Sequence, residues 1–136
     1  RGGTENVYGI IGLAKAMEIA YAELDEHMKH VSDLKAYMIS NLKEAIPGVK
    51  FNGDTLGNSL YTVLSVCFPP HENSEMLLFN LDINGICASS GSACSSGSDK
   101  SSHVLETIGA ANDRVSIRFS FSNSIQLRRL ISLFRN

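Results

Sequence analysis

Tryptophan is absent from the 136 residues, and proline and cysteine occur three times each. So few prolines leave long stretches free to run as unbroken helix. Cys67, Cys87 and Cys94 are odd in number and show neither a Cys-x-x-Cys pair nor metal-type spacing. That argues against a disulfide framework and a metal site, and makes a reducing cytoplasm the expected setting. Neither charge sign dominates: 12 basic residues face 14 acidic ones, for a net charge of −2. There is thus no electrostatic case for binding nucleic acid or a membrane surface. No long uninterrupted apolar run is present, so no membrane span is expected, and no signal peptide is recognised. The chain opens on Arg1-Gly2-Gly3-Thr4 with no initiator Met, which reads as a piece of something longer. What is present fits one domain with a modest core.

From about Tyr8 to Ile46 apolar residues recur every three or four positions: Ile10, Leu13, Met17, Tyr21, Leu24, Met28, Val31, Leu34, Met38, Leu42 and Ile46. The spacing predicts one long amphipathic helix, or two nearly collinear ones, roughly 55–60 Å long if continuous. That exceeds a compact domain of this size, so the helix needs another body to lie against. Pro47-Gly48 ends it. Residues 1–46 are therefore expected to form a linking helix and residues 47–136 a small domain.

Val49–Phe51 reads as a short strand before an Asn52-Gly53-Asp54 turn, and the β-rich run from Leu60 to Phe68 as a second strand. Ser74 is placed to cap a helix from Glu75 to about Leu81, and Ile86–Ala88 reads as a brief apolar strand. Ser101 or Ser102 is expected to cap a helix through Ile108, with Gly109 just past its end. Val115–Phe121 alternates, with Val115, Ile117, Phe119 and Phe121 on one side and Ser116, Arg118 and Ser120 on the other. A final amphipathic segment covers about Ile125–Phe134. The expected class is α/β or α+β, a long helix followed by a small mixed sheet with helices.

The composition changes sharply at residues 89–98, Ser-Ser-Gly-Ser-Ala-Cys-Ser-Ser-Gly-Ser. This is flexible-loop chemistry. A thiol at its centre would be exposed and free of bulky neighbours, able to swing between two reaction partners. Cys67 and Cys87 instead read as structural residues of apolar strands. Composition alone leaves the plainer alternative open, and favours it: a Ser/Gly linker holding a chance cysteine. By spacing alone, likewise, Arg118 is an ordinary surface arginine and Thr4 a plain helix cap.

The string Ala88-Ser89-Ser90-Gly91-Ser92-Ala93-Cys94-Ser95-Ser96-Gly97-Ser98, followed by Ser102-His103-Val104-Leu105, closely resembles the active-site segment of the PLP-dependent cysteine desulfurases that serve iron–sulfur cluster assembly (aminotransferase class V). Arg1-Gly2-Gly3-Thr4 resembles the segment opening that family's small-domain half, and Ser116-Ile117-Arg118-Phe119-Ser120 its substrate-binding strand. These collinear matches cover nearly the whole chain. The resemblance implies the small C-terminal domain of a fold-type I PLP enzyme. It also implies a reaction in which sulfur leaves L-cysteine, giving L-alanine and a persulfide on the enzyme.

Residue by residue, the resemblance makes Cys94 the sulfur-accepting nucleophile and Arg118 the fork that holds the substrate α-carboxylate. It makes Thr4 a contact to the pyridoxal 5′-phosphate (PLP) phosphate of the neighbouring subunit. It further implies a full-length homodimer and a sulfur acceptor or iron–sulfur scaffold protein as partner. His103, beyond the loop, reads as structural. Nothing matches the family's PLP-lysine segment, and Lys15, Lys29, Lys35, Lys43, Lys50 and Lys100 all lie in other contexts. The chain alone is therefore expected to bind no PLP and to be inactive. Two departures stand out. Leu60-Tyr61-Thr62 replaces Leu-Pro-Asn, and residues 123–129 replace an acidic helix start. A stand-alone persulfide-carrying or acceptor-docking module without PLP chemistry is the alternative reading.

Overall fold

The computed structural model describes residues 2–72, 74–90, 103–110 and 114–125. Helix α1 (Val7–Ala22) and helix α2 (Leu24–Ala45) replace the single long helix. They are separated only by Glu23, whose backbone departs from helical geometry at φ −103° and ψ 2°. The hydrogen-bond ladder nevertheless continues through it, Glu23 N–H donating to Ile19 O and His27 N–H to Glu23 O. Of the two forms expected, the interrupted pair is the one adopted.

Helix α1 is capped by Asn6, whose side-chain oxygen accepts from Gly9 N–H at 3.1 Å. This corrects the reading of Thr4 as N-cap. An Asn closer to the apolar run satisfies the orphan donor, and Thr4 stands exposed two residues earlier. At the other end α2 stops at Ala45, as Pro47-Gly48 predicts, with Gly48 at φ +80° turning the chain.

Strands β1 (Lys50–Phe51), β2 (Val63–Cys67), β3 (Ser89–Ser90) and β4 (Ser116–Ser120) form one sheet in the order β1-β2-β4-β3. The sheet was expected to be mixed; its three pairings are all antiparallel. The class is helices on an antiparallel sheet. The expected strand at Ile86–Ala88 is not formed. The pairing falls instead on Ser89–Ser90, the first two residues of the Ser/Gly run, because β4 offers them a partner edge. Cys87 is accordingly exposed rather than a residue of an apolar strand, whereas Cys67 is buried in β2 as expected.

Between β2 and β3, Ser74–Met76 is a 3₁₀ turn that leads into helix α3 (Leu77–Ile83). Ser74 does not cap an α-helix from Glu75; its hydroxyl accepts from His71 N–H at 2.9 Å. Helix α4 covers His103–Thr107, and Gly109 at φ +70° follows it where a left-handed terminator was expected. The serines proposed to cap α4 and the final segment beyond Ile125 lie outside the described residues.

One face of α2 and one face of the sheet make the core. Val31, Leu34, Met38, Ile39 and Leu42 from the helix meet Leu64 and Val66 of β2, Ile117 and Phe119 of β4, and Phe121. The strand residues alternate as a half-buried antiparallel sheet requires, since successive side chains point to opposite faces. Among the described residues Lys35 is the single charged residue buried with them, 5% exposed. Its ammonium donates to Ser59 Oγ at 3.2 Å and Leu60 O at 3.0 Å, fastening the segment before β2 onto the helix. Loss of hydration holds this amine below its ordinary value, against a weaker opposing pull from Asp54.

Candidate active site

Arg118, singled out in the sequence, lies on the face of the sheet turned away from the core. On β4, Ile117 and Phe119 point inward, so Ser116, Arg118 and Ser120 share the outer face. Register places Ser65 of β2 directly opposite Arg118 on one side and Ser89 of β3 opposite it on the other. Arg118 therefore rises from a central strand with a serine on either flank. It is exposed, and among the described residues its guanidinium makes no ion pair or hydrogen bond. Arg114 behaves otherwise, its guanidinium donating to Gly48 O at 2.9 Å. An unpaired guanidinium on a small, neutral, polar floor can take a planar anion in a bidentate fork.

The floor is tied together by Asn52. Its backbone N–H donates to Ser65 O at 2.9 Å, which extends the β1–β2 ladder by one residue. Its side-chain amide donates to Ser65 Oγ at 3.0 Å and to Ser116 Oγ at 2.9 Å. The sequence reading treated Asn52 only as a turn residue. Its period-2 relation to Lys50 hinted at this face, but the strand pairing had to be known first.

The other proposed residues are placed less fully. Thr4 precedes α1 and is exposed. Cys94 lies outside the described residues, although Ser89–Ser90, from which its segment departs, is fixed beside Arg118. His30 Nε2–H donates to Ile125 O at 3.1 Å, and the His27 ring stands edge-on to Tyr61 at 6.1 Å. These histidines line a cavity of about 420 Å³ with Glu23, Glu26 and Asn123. Yet among the described residues no group of three or more His, Cys, Asp or Glu is arranged to hold a metal ion. No helix among them is long and apolar enough to cross a membrane.

The described lysines lie in settings unlike that of an anchor for a PLP aldehyde. Lys15 and Lys29 are exposed and paired with Glu18 and Asp33 at 2.9 and 2.7 Å. Lys35 is clamped in the core, and Lys43 lies over the Phe51 ring at 5.8 Å. Lys50 shares the outer face with Arg118 but projects from the far edge strand β1, two strands away. None of these described lysines adjoins Arg118.

Comparison with known proteins identifies the class to which this antiparallel sheet and its exposed arginine belong. The aminotransferase class-V family model matches residues 1–128, and the chain belongs to that family. It is 39% identical over 122 residues to the cysteine desulfurase IscS of Dictyoglomus turgidum, covering 88% of this chain and 30% of that protein. It is 38% identical over 138 residues to a cysteine desulfurase of Nostoc, covering 98% of this chain and 34% of that one. Among solved structures, a NifS-like protein superposes with a TM-score of 0.75 at 31% identity, over 99% of this chain and 33% of the other. The chain thus spans about a third of the length of the relatives it matches.

Proposed function

We propose that this chain supplies the sulfur-receiving third of a PLP-dependent cysteine desulfurase. Arg118 holds the α-carboxylate of L-cysteine, the Cys94 thiolate accepts the substrate sulfur as a persulfide, and L-alanine is released. The observation that carries the proposal is the β3–β4 pairing, which roots the Cys94 segment at the serine opposite Arg118. Substrate clamp and acceptor thiol thereby issue from neighbouring strands.

Apart from the phosphate contact from Thr4, PLP would be held by residues outside this chain, and it would supply an electron sink for cleavage of the carbon–sulfur bond. The residues of this chain do the rest. Arg118 fixes the carboxylate, so that the substrate sulfur is presented in one orientation. Cys94 must be deprotonated to attack, and a segment of serine and glycine leaves room for it to carry sulfur onward to an acceptor or iron–sulfur scaffold protein. Thr4 would hold the cofactor phosphate across a homodimer interface. The linking role expected of residues 1–46 falls on α1 in this reading. The cysteines Cys67 and Cys87, both free, suit a reducing cytoplasm.

The test begins with the upstream coding region, where an in-frame PLP-lysine domain is expected. In the complete gene product, Cys94→Ala should abolish persulfide formation while leaving cysteine binding intact. Undiminished sulfur release by that variant would sink the assignment. The 136-residue chain alone should show no yellow PLP absorbance and form no alanine. Both signals from the purified chain would contradict the division of labour.

A further inference from the structure

We propose that Ser65 and Ser116 are additional hydrogen-bond donors to the substrate carboxylate, and that Asn52 is the positioning residue that orients them. This rests on Arg118 being the carboxylate clamp. Both amide hydrogens of Asn52 are spent on serine oxygens, at 3.0 Å for Ser65 and 2.9 Å for Ser116. Each hydroxyl is therefore an acceptor toward Asn52 and keeps its own hydrogen to donate elsewhere.

The open direction is the face of Arg118. Ser65 stands opposite Arg118 across the β2–β4 ladder, and Ser116 precedes it by two residues on the same side of β4. The sheet register fills this face with Lys50, Val63, Cys67, Ser89 and Ser120 besides. No carboxylate is among them. Among the described strand residues the face thus gathers a guanidinium and two oriented hydroxyls with no carboxylate to neutralise them. Such a set is complementary to a carboxylate, because hydrogen bonds to a charged acceptor are the strong ones. Asn52 is held for this task by its backbone bond to Ser65 O, and Gly53 at φ +78° turns the chain away immediately after it.

A purely structural Asn52 would only pin β1 to the sheet. The two roles separate in steady-state kinetics of the complete gene product, read with calorimetric binding of L-alanine. Asn52→Asp replaces the donor by an acceptor, which turns both serine hydroxyls back toward residue 52 and sets a negative charge near Arg118. The KM for L-cysteine and the Kd for L-alanine should each rise about tenfold or more, with kcat held within about twofold. Ser65→Ala and Ser116→Ala should each raise both constants by about three- to tenfold. A structural role would instead lower Tm and the active fraction and leave the two constants in place.

Arg118→Lys is the control for the underlying reading. Unchanged constants in Arg118→Lys would remove the carboxylate clamp itself. If Arg118→Lys weakens binding while the serine variants and Asn52→Asp bind as wild type, only the donor proposal falls. Should Asn52→Asp fail to fold, the two serine variants decide the matter.

Discussion

Helices α1 and α2 follow one another across one residue, yet α2 buries five apolar side chains and α1 buries none. Ile10, Ile11, Leu13 and Tyr21 of α1 are 57, 62, 63 and 72% exposed. The cause lies in how each helix distributes its residues. In α2 the apolar positions form a stripe, and Asp25, Lys29, Asp33 and Lys43 occupy other positions around the helix. One sheet face suffices to cover such a stripe. Helix α1 carries apolar residues on several sides, with Lys15 and Glu18 as its only charges. A helix of that kind is suited to burial on more than one side. The comparison teaches that α2 finds its partner within these residues and α1 does not.

Matched truncations sharpen the contrast. Leu34→Ala should cost about 2–5 kcal/mol in urea unfolding, because Leu34 is 2% exposed in the shared core. An effect below about 1 kcal/mol would mean that α2 is not part of that core. Gly48→Ala, at the stop that turns α2 back to the sheet, should cost about 1 kcal/mol by forcing a side chain into the left-handed region.

Lys35 tests the contrast through pH. Its folded pKa is depressed below 10.5, so the unfolded chain binds the proton more tightly. Its contribution to stability therefore improves as pH climbs from the folded pKa toward 10.5 and levels off above. Wild type should gain on Lys35→Met through that alkaline window, and a constant difference between the two would contradict a buried amine. The smallest effect belongs to α1. Leu13→Ala in this chain should change stability by no more than about 0.5 kcal/mol, and a loss matching that of Leu34→Ala would erase the distinction.

Much of this architecture was legible in sequence where a period carries it. The alternation in β4 separated Ile117 and Phe119 from Arg118 because a half-buried antiparallel strand repeats every two residues. The α2 stripe was legible for the same kind of reason. Helix starts were less so. Thr4 and Asn6 both carry a capping group, and only the backbone decides between them. Strand β3 was invisible because Ser89-Ser90 has no apolar pattern, and its existence depends on a partner brought from residues 116–120. Asn52 was hidden likewise, since its role joins three strands distant in sequence. Cys94 is singled out by the family string alone, since no strand or helix pattern marks it, and it lies outside the described residues.

The pairing of Ser89 and Ser90 with β4 also works as a mooring. Cys94 follows Ser90 by four residues, and a fully extended chain advances at most about 3.6 Å per residue. The Cα of Cys94 is thus leashed within about 14 Å of a fixed post next to Arg118. Under the role proposed for Cys94, that radius limits the sulfur acceptor, whose own thiol or cluster site must come inside it, because the leash cannot be let out further without unpicking β3 from the sheet.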